Sequence, residues 1–165
     1  MANKNDYDWN ATAYFKELVR RNRMAQDYGF CFCRVSGLDG FEEALSAMQD
    51  AQAFVCVDEL GAGYSQLSPS PRTRRVKTVF LAMRHAIDDM EARQRCLDVM
   101  RELFRQLMSA LIREKTAIEE HFLYVDPKIQ FSEISSYFAS GCACASFQIA
   151  VDSMTNLCYD EDEWI

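Results

Sequence analysis

The sequence predicts an α+β fold, a mostly antiparallel sheet packed by one long amphipathic helix and an N-terminal helix. Three observations predict it. Apolar residues recur at spacings of three and four between Leu97 and Ile112, the signature of a helix with one buried face. The period falls to two in "GFCFCRV" (29–35) and in "CACASFQIAV" (142–151), as it does in strands with two distinct faces. A second helical stretch opens after Asn10. With 165 residues, 49% apolar and 26% charged, and only six glycines and three prolines, the chain has the size and composition of a single domain, 1–165, with a sizeable core.

The first helix starts after Asn10, whose side chain can cap free backbone amides, and runs through "ATAYFKELVRRNRMAQD" to Gly29 as its breaker. Trp9, Ala13, Phe15, Leu18, Val19 and Met24 form its apolar stripe, opposite Arg20, Arg21 and Arg23. In the following strand Phe30 and Phe32, with Val35 assigned to the same side, face away from Cys31 and Cys33. "GLDGFEEALSAMQDA" predicts a short connecting helix with Phe41, Ala44, Leu45 and Met48 inside and Glu42 and Glu43 near its positive end. "AFVCVDEL" is a strand, apolar from Ala53 to Val57 and ending in Asp58 and Glu59.

Residues 61–75, "GAGYSQLSPSPRTRR", concentrate glycine, proline and serine and read as a mobile or assembly-dependent loop. "RRVKTVFLAMRHA" then predicts a central strand, because both faces are apolar beyond Lys77. The long helix spans Asp88 to about Glu120, with Leu97, Met100, Phe104, Leu107, Met108, Leu111 and Ile112 inward. Pro127 closes "HFLYVDP", and "KIQFSEISSYFASGCACASFQIAVDSM" reads as two strands joined around Ser140 and Gly141. The tail "CYDEDEWI" is acidic and expected to be exposed.

A net charge of −7 repels a phosphate backbone and argues against nucleic acid as a specific ligand. The N-terminus lacks the basic patch and apolar core of a secretory signal, and no window has the length of a membrane span, so the expected location is a cytosol, without membrane contact. Seven cysteines in a reducing compartment read as thiols that pack like small hydrophobes.

Each of "GFCFCRV" and "GCACASF" sets two cysteines one residue apart. On a straight strand such side chains lie roughly 6.5 Å apart. Two thiolates on one zinc can be at most about 4.6 Å apart, so a CxC chelate would need a bent backbone. The pairs are therefore read as buried strand-face side chains, and no metal or other cofactor is expected. His85 and His121 lie in no motif with Cys56, Cys96 or Cys158, and "GAG" lacks the residues of a phosphate loop. Asp58 and Glu59 are the residue types of a divalent-ion site or general acid, and equally those of a solvated strand end. No catalytic residue is assigned. The basic run "PRTRRVK" (71–77) suits either a nucleic-acid contact or self-assembly against the carboxylates of a neighbouring copy.

The element order carried by "AFVCVDEL", "RRVKTVFLAMR", "RQRCLDVMRELFRQLMSALI" and "CACASFQIAVDSMTNLCYDEDEW" resembles the tail terminator and tail completion (head-tail joining) proteins of long-tailed bacteriophages. The resemblance implies a virion structural protein with no catalysis. It would form a homo-oligomeric ring, usually a hexamer, that caps the tail tube and joins tail to head. Its partners would be further copies of itself, tail tube and connector proteins, and its location the host bacterial cytoplasm during assembly and then the virion. The candidate assembly contacts are Tyr64, Arg72, Arg74 and Arg75 in the basic loop, and Asp160, Glu161, Asp162 and Trp164 in the acidic tail. Two other readings are carried beside it: a cytosolic protein-binding or adaptor domain, and a thiol- or zinc-dependent enzyme.

Overall fold

A computed structural model of the chain describes residues 9–47, 50–135, 141–154, 159 and 161–164. The order is α1 (Ala11–Arg21), α2 (Arg23–Asp27), β1 (Phe30–Val35), α3 (Gly37–Ala47), β2 (Ala53–Asp58), β3 (Ala62–Gln66), β4 (Arg72–Arg84), α4 (Met90–Glu119), β5 (Leu123–Val125), β6 (Phe131–Ile134), β7 (Cys142–Met154) and a 3-10 turn (Glu161–Glu163). The fold is α+β, as the sequence predicts.

Asn10 caps α1 by accepting from the Ala13 amide at 2.9 Å. The expected single helix to Gly29 is instead two. Asn22 adopts an extended conformation between them, and its side chain accepts from the Ala25 amide at 2.7 Å to start α2. The same side chain donates to Gln106 on α4 at 2.8 Å, which fastens the break to the long helix. Asparagine suits the role because its short amide competes with helical backbone bonds.

All strands join one sheet in the order β1-β2-β4-β7-β5, with β3 also beside β4 and β6 also beside β7. Among the described strands only β1 and β2 pair in parallel, and α3 supplies the crossover that a parallel connection requires. The centre is the antiparallel pair β4–β7, in register from Arg72↔Met154 to Arg84↔Cys142. Short strands flank it end to end: β2 and β3 share the outer edge of β4, while β5 and β6 share that of β7.

On one face α1 and α4 bury Phe15, Leu18, Val19, Met100, Leu103, Leu107 and Leu111 against Val55, Val79, Leu81, Phe147 and Ile149. Each such side chain contributes about 1.5–3 kcal/mol on burial. The α4 stripe is rotated slightly from the expected one: Leu103 is fully buried and Ile112 is 74% exposed. On the other face α3 packs Phe41 and Leu45 over Val35, Phe54, Cys56, Phe80, Ala82, Cys142 and Cys144, with the Phe41 and Phe80 rings stacked at 4.6 Å. Val35 thus sits on the thiol face, correcting its assignment to the side of Phe30 and Phe32. Met48 lies outside the described residues.

Arg84 ties α3 to the sheet. Its guanidinium donates to the Leu45 carbonyl near the end of the helix and to the Ala51 carbonyl at 3.0 Å, and its charge lies 5.5 Å from the Phe54 ring centroid. Helix α3 covers only the β1, β2 and upper β4–β7 region. Among the described residues no helix lies over the rest of that face, where Tyr64, Arg74, Thr78, Gln148 and Tyr124 are exposed or half-buried.

Candidate functional site

The stretch read as a loop is largely a β-hairpin. β3 pairs with the first five residues of β4, from Ala62↔Val76 to Gln66↔Arg72, leaving only residues 67–71 as the turn. Most of its residues on both faces lie in solvent, so it has no hydrophobic alternation to reveal it in the sequence. Two glycines permit the close pairing. A Cβ at Gly63 would overlap the Arg74 carbonyl oxygen, and one at Gly61 would sit 2.8 Å from the Val76 carbonyl oxygen. The paired strands line an open groove of about 410 Å³, with Tyr64, Thr73, Arg75 and Lys77 among its residues.

The ribbon gathers part of the expected contact set. Tyr64 faces Arg74 in register, Arg74 faces Asp152 on β7, and Asp152 faces Tyr124 on β5. Four strands therefore present a row of tyrosine, arginine, aspartate and tyrosine on the open face. Tyr64 is 52% exposed. Arg74 is not a free cation: its guanidinium pairs with Asp126 and, at 3.3 Å, with Asp152. Arg72 lies on the same face opposite Gln66 and Met154, whereas Arg75 points to the reverse face opposite Gly63 and Val151. Lys77 donates to the Glu59 carbonyl oxygen. The carboxylates that occupy Arg74 are 52 and 78 residues away along the chain. Asp152 left one trace in the sequence, as an acid on the polar side of an otherwise apolar strand; Asp126 left none.

In the tail, Glu161 and Asp162 belong to the 3-10 turn, and Trp164, 66% exposed, stacks on Tyr159 at 5.8 Å between ring centroids. Asp160 lies outside the described residues.

The thiols fall mainly on the α3 face. Cys142 and Cys144 are buried, Cys33 is half-buried, and Cys31, against expectation, is exposed. Pairing continues through both CxC segments, with Phe32 opposite Val55 and Ala143 opposite Met83. The sheet adds Cys56, in register with Cys33, which strand order alone could reveal. Burial pushes the Cys142 and Cys144 thiols up. Cys33 and Cys56 shift each other in opposite directions, Cys33 down and Cys56 up, with burial adding to the rise at Cys56. Among the described residues no three His, Cys, Asp or Glu side chains come together as a metal ligand set. Replacing Cys144 with serine is expected to cost about 1–3 kcal/mol by burying a hydroxyl, with bound metal unchanged, as measured by urea denaturation and elemental analysis.

Asp58, Glu59 and His85 have structural partners. Asp58 Oδ1 accepts from the Gly37 amide and the Leu60 amide, each at 2.9 Å, and so holds the turn into α3 beside the strand end. Glu59 pairs with Arg34 at 3.0 Å. His85 Nδ1 lies 2.8 Å from the Ala86 carbonyl oxygen, and His121 is exposed beyond α4. Asp58→Ala is expected to lower stability by about 1–2 kcal/mol, and Asp58→Asn by less because it keeps an acceptor; thermal denaturation distinguishes the two.

No family model and no curated protein matches this chain. Among the described residues no helix is long and apolar enough to cross a membrane.

Proposed function

We propose that the chain is a phage or prophage virion structural protein of the tail terminator type, which assembles as a ring of like subunits, caps the tail tube and joins tail to head. The observation that carries this reading is the β3–β4 ribbon. It extends the sheet past the helix-covered core and offers Tyr64, Leu67 and Arg75 to solvent, a rigid arm in place of the expected loop. An arm of this kind reaches a neighbouring subunit at little cost in ordering entropy. The acidic turn with Glu161 and Asp162, beside exposed Trp164, is chemically complementary to a basic ribbon, so one surface can meet the other head to tail and close a ring. The reading also draws on the resemblance in element order noted from the sequence, and a capping role requires no catalysis.

Native mass spectrometry of the reduced protein across a concentration series tests the proposal. A closed ring, dispersed by Tyr64→Ala with Arg75→Glu, is the expected result. A monomer that remains single on addition of tail tubes would overturn it and favour an adaptor domain.

A further inference from the structure

Cys33 on β1 and Cys56 on β2 are direct register partners in the parallel pair, and so their side chains leave the same face of the sheet. Adjacent strands place such Cα atoms about 4.8 Å apart. That spacing lies inside the range of roughly 4.4–6.8 Å that a disulfide spans. No other described cysteine is so placed: Cys31 faces Phe54, Cys142 faces Arg84, and Cys144 faces Ala82 and Ile134. Access is asymmetric, because Cys33 is half-buried on the edge strand while Cys56 is fully buried beneath α3.

We propose that Cys33 and Cys56 form an oxidative modification site, in which a small hydroperoxide converts the thiol pair to a disulfide that joins β1 to β2. Cys33 is the attacking sulfur. The neighbouring Cys56 thiol shifts its titration downward, and Cys33 is the member of the pair that a solvent-borne oxidant can meet. The Cys33 sulfur bonds to the distal peroxide oxygen, the O–O bond breaks, and the other oxygen leaves as alkoxide, or as hydroxide where the oxidant is hydrogen peroxide; sulfur is oxidised by two electrons and the peroxide reduced. Cys56 then attacks the Cys33 sulfenic sulfur. The S–S bond forms, the S–O bond breaks, and the Cys56 proton departs with the hydroxyl as water. Because Cys33 is only half-buried, reductants can reach the disulfide as the oxidant did, which suits a reversible modification more than a permanent brace.

The test uses the reduced full-length protein, treated with hydrogen peroxide, blocked with N-ethylmaleimide, digested with trypsin and sequenced by tandem mass spectrometry. The expected product is peptide 24–34 joined through Cys33 to Cys56 in peptide 35–72, lighter by two hydrogens than the reduced pair and separated again by dithiothreitol. The link should persist in Cys31→Ser and be lost in Cys33→Ser. The wild-type fragment spectrum decides the question even where Cys33→Ser fails to fold. A link through Cys31, or Cys33 driven to sulfinic acid while Cys56 is recovered as a maleimide adduct, would overturn the proposal. So would an earlier link between Cys142 and Cys144. None of these readouts depends on assembly.

Discussion

Phe147→Ala is expected to lose about 3–5 kcal/mol, the largest effect of any single substitution considered, against a total stability of about 5–15 kcal/mol for a domain of this kind. Phe147 is buried at the middle of β7, where it faces Val79 on β4 and Phe131 on β6. Its ring meets Phe15 of α1 at 5.6 Å and Phe104 of α4 at 5.1 Å between centroids, so both helices and the sheet converge on it. Removing it takes away transfer energy and leaves a cavity that three rigid elements cannot collapse together to fill. In urea the midpoint should fall with little change in slope, and Phe147→Leu should recover most of the loss. A Phe147→Ala midpoint equal to that of the parent would rule out this convergence.

Gly63→Ala is expected to unpair β3 from β4, because the added methyl would occupy the space of the Arg74 carbonyl oxygen, which cannot move without breaking its strand. Overpacking of this kind costs about 1–3 kcal/mol. The effect should be local. Amides of residues 62–66 should lose protection in hydrogen exchange, while those of 79–83, held between β2 and β7, keep theirs. If the ribbon is the arm of a ring, the same substitution also yields monomers in native mass spectrometry. Uniform loss of protection across the sheet would mean that β3 is not a separable part.

The parts of the fold that could be read from the sequence were those whose burial is one-sided and local. Asn10, the inward residues of β7 and most of the α4 stripe declare themselves because side-chain period and backbone geometry agree over many residues. The break at Asn22 did not, since arginines on both sides are as compatible with a continuous helix as with two. The phase of α4 slipped between Leu103 and Ile112 because both are apolar, and only the sheet beneath decides which is covered. Of the contact set, the basic residues were visible as a cluster. That Arg74 is neutralised within the chain depends on β5 and β7 lying beside β4, and strand order leaves no mark on local pattern. The pairing of Cys33 with Cys56 was hidden for the same reason.

The position of β7 in the sheet bears on how a growing chain can fold. β4, β5 and β6 all precede it in sequence; β5 and β6 pair with it, and β4 needs it to cover its second edge, with the 30-residue α4 intervening between β4 and β7. While residues 142–154 are still within the ribosome, β4 has an open edge that is apolar from Val79 to Met83, and β5 and β6 have nothing to join. Such an edge is a template for pairing with other chains. Nascent copies on neighbouring ribosomes would therefore be most prone to adhere during this interval, and α4, which emerges first and packs against the same strands, is the element able to shield them until the seam closes.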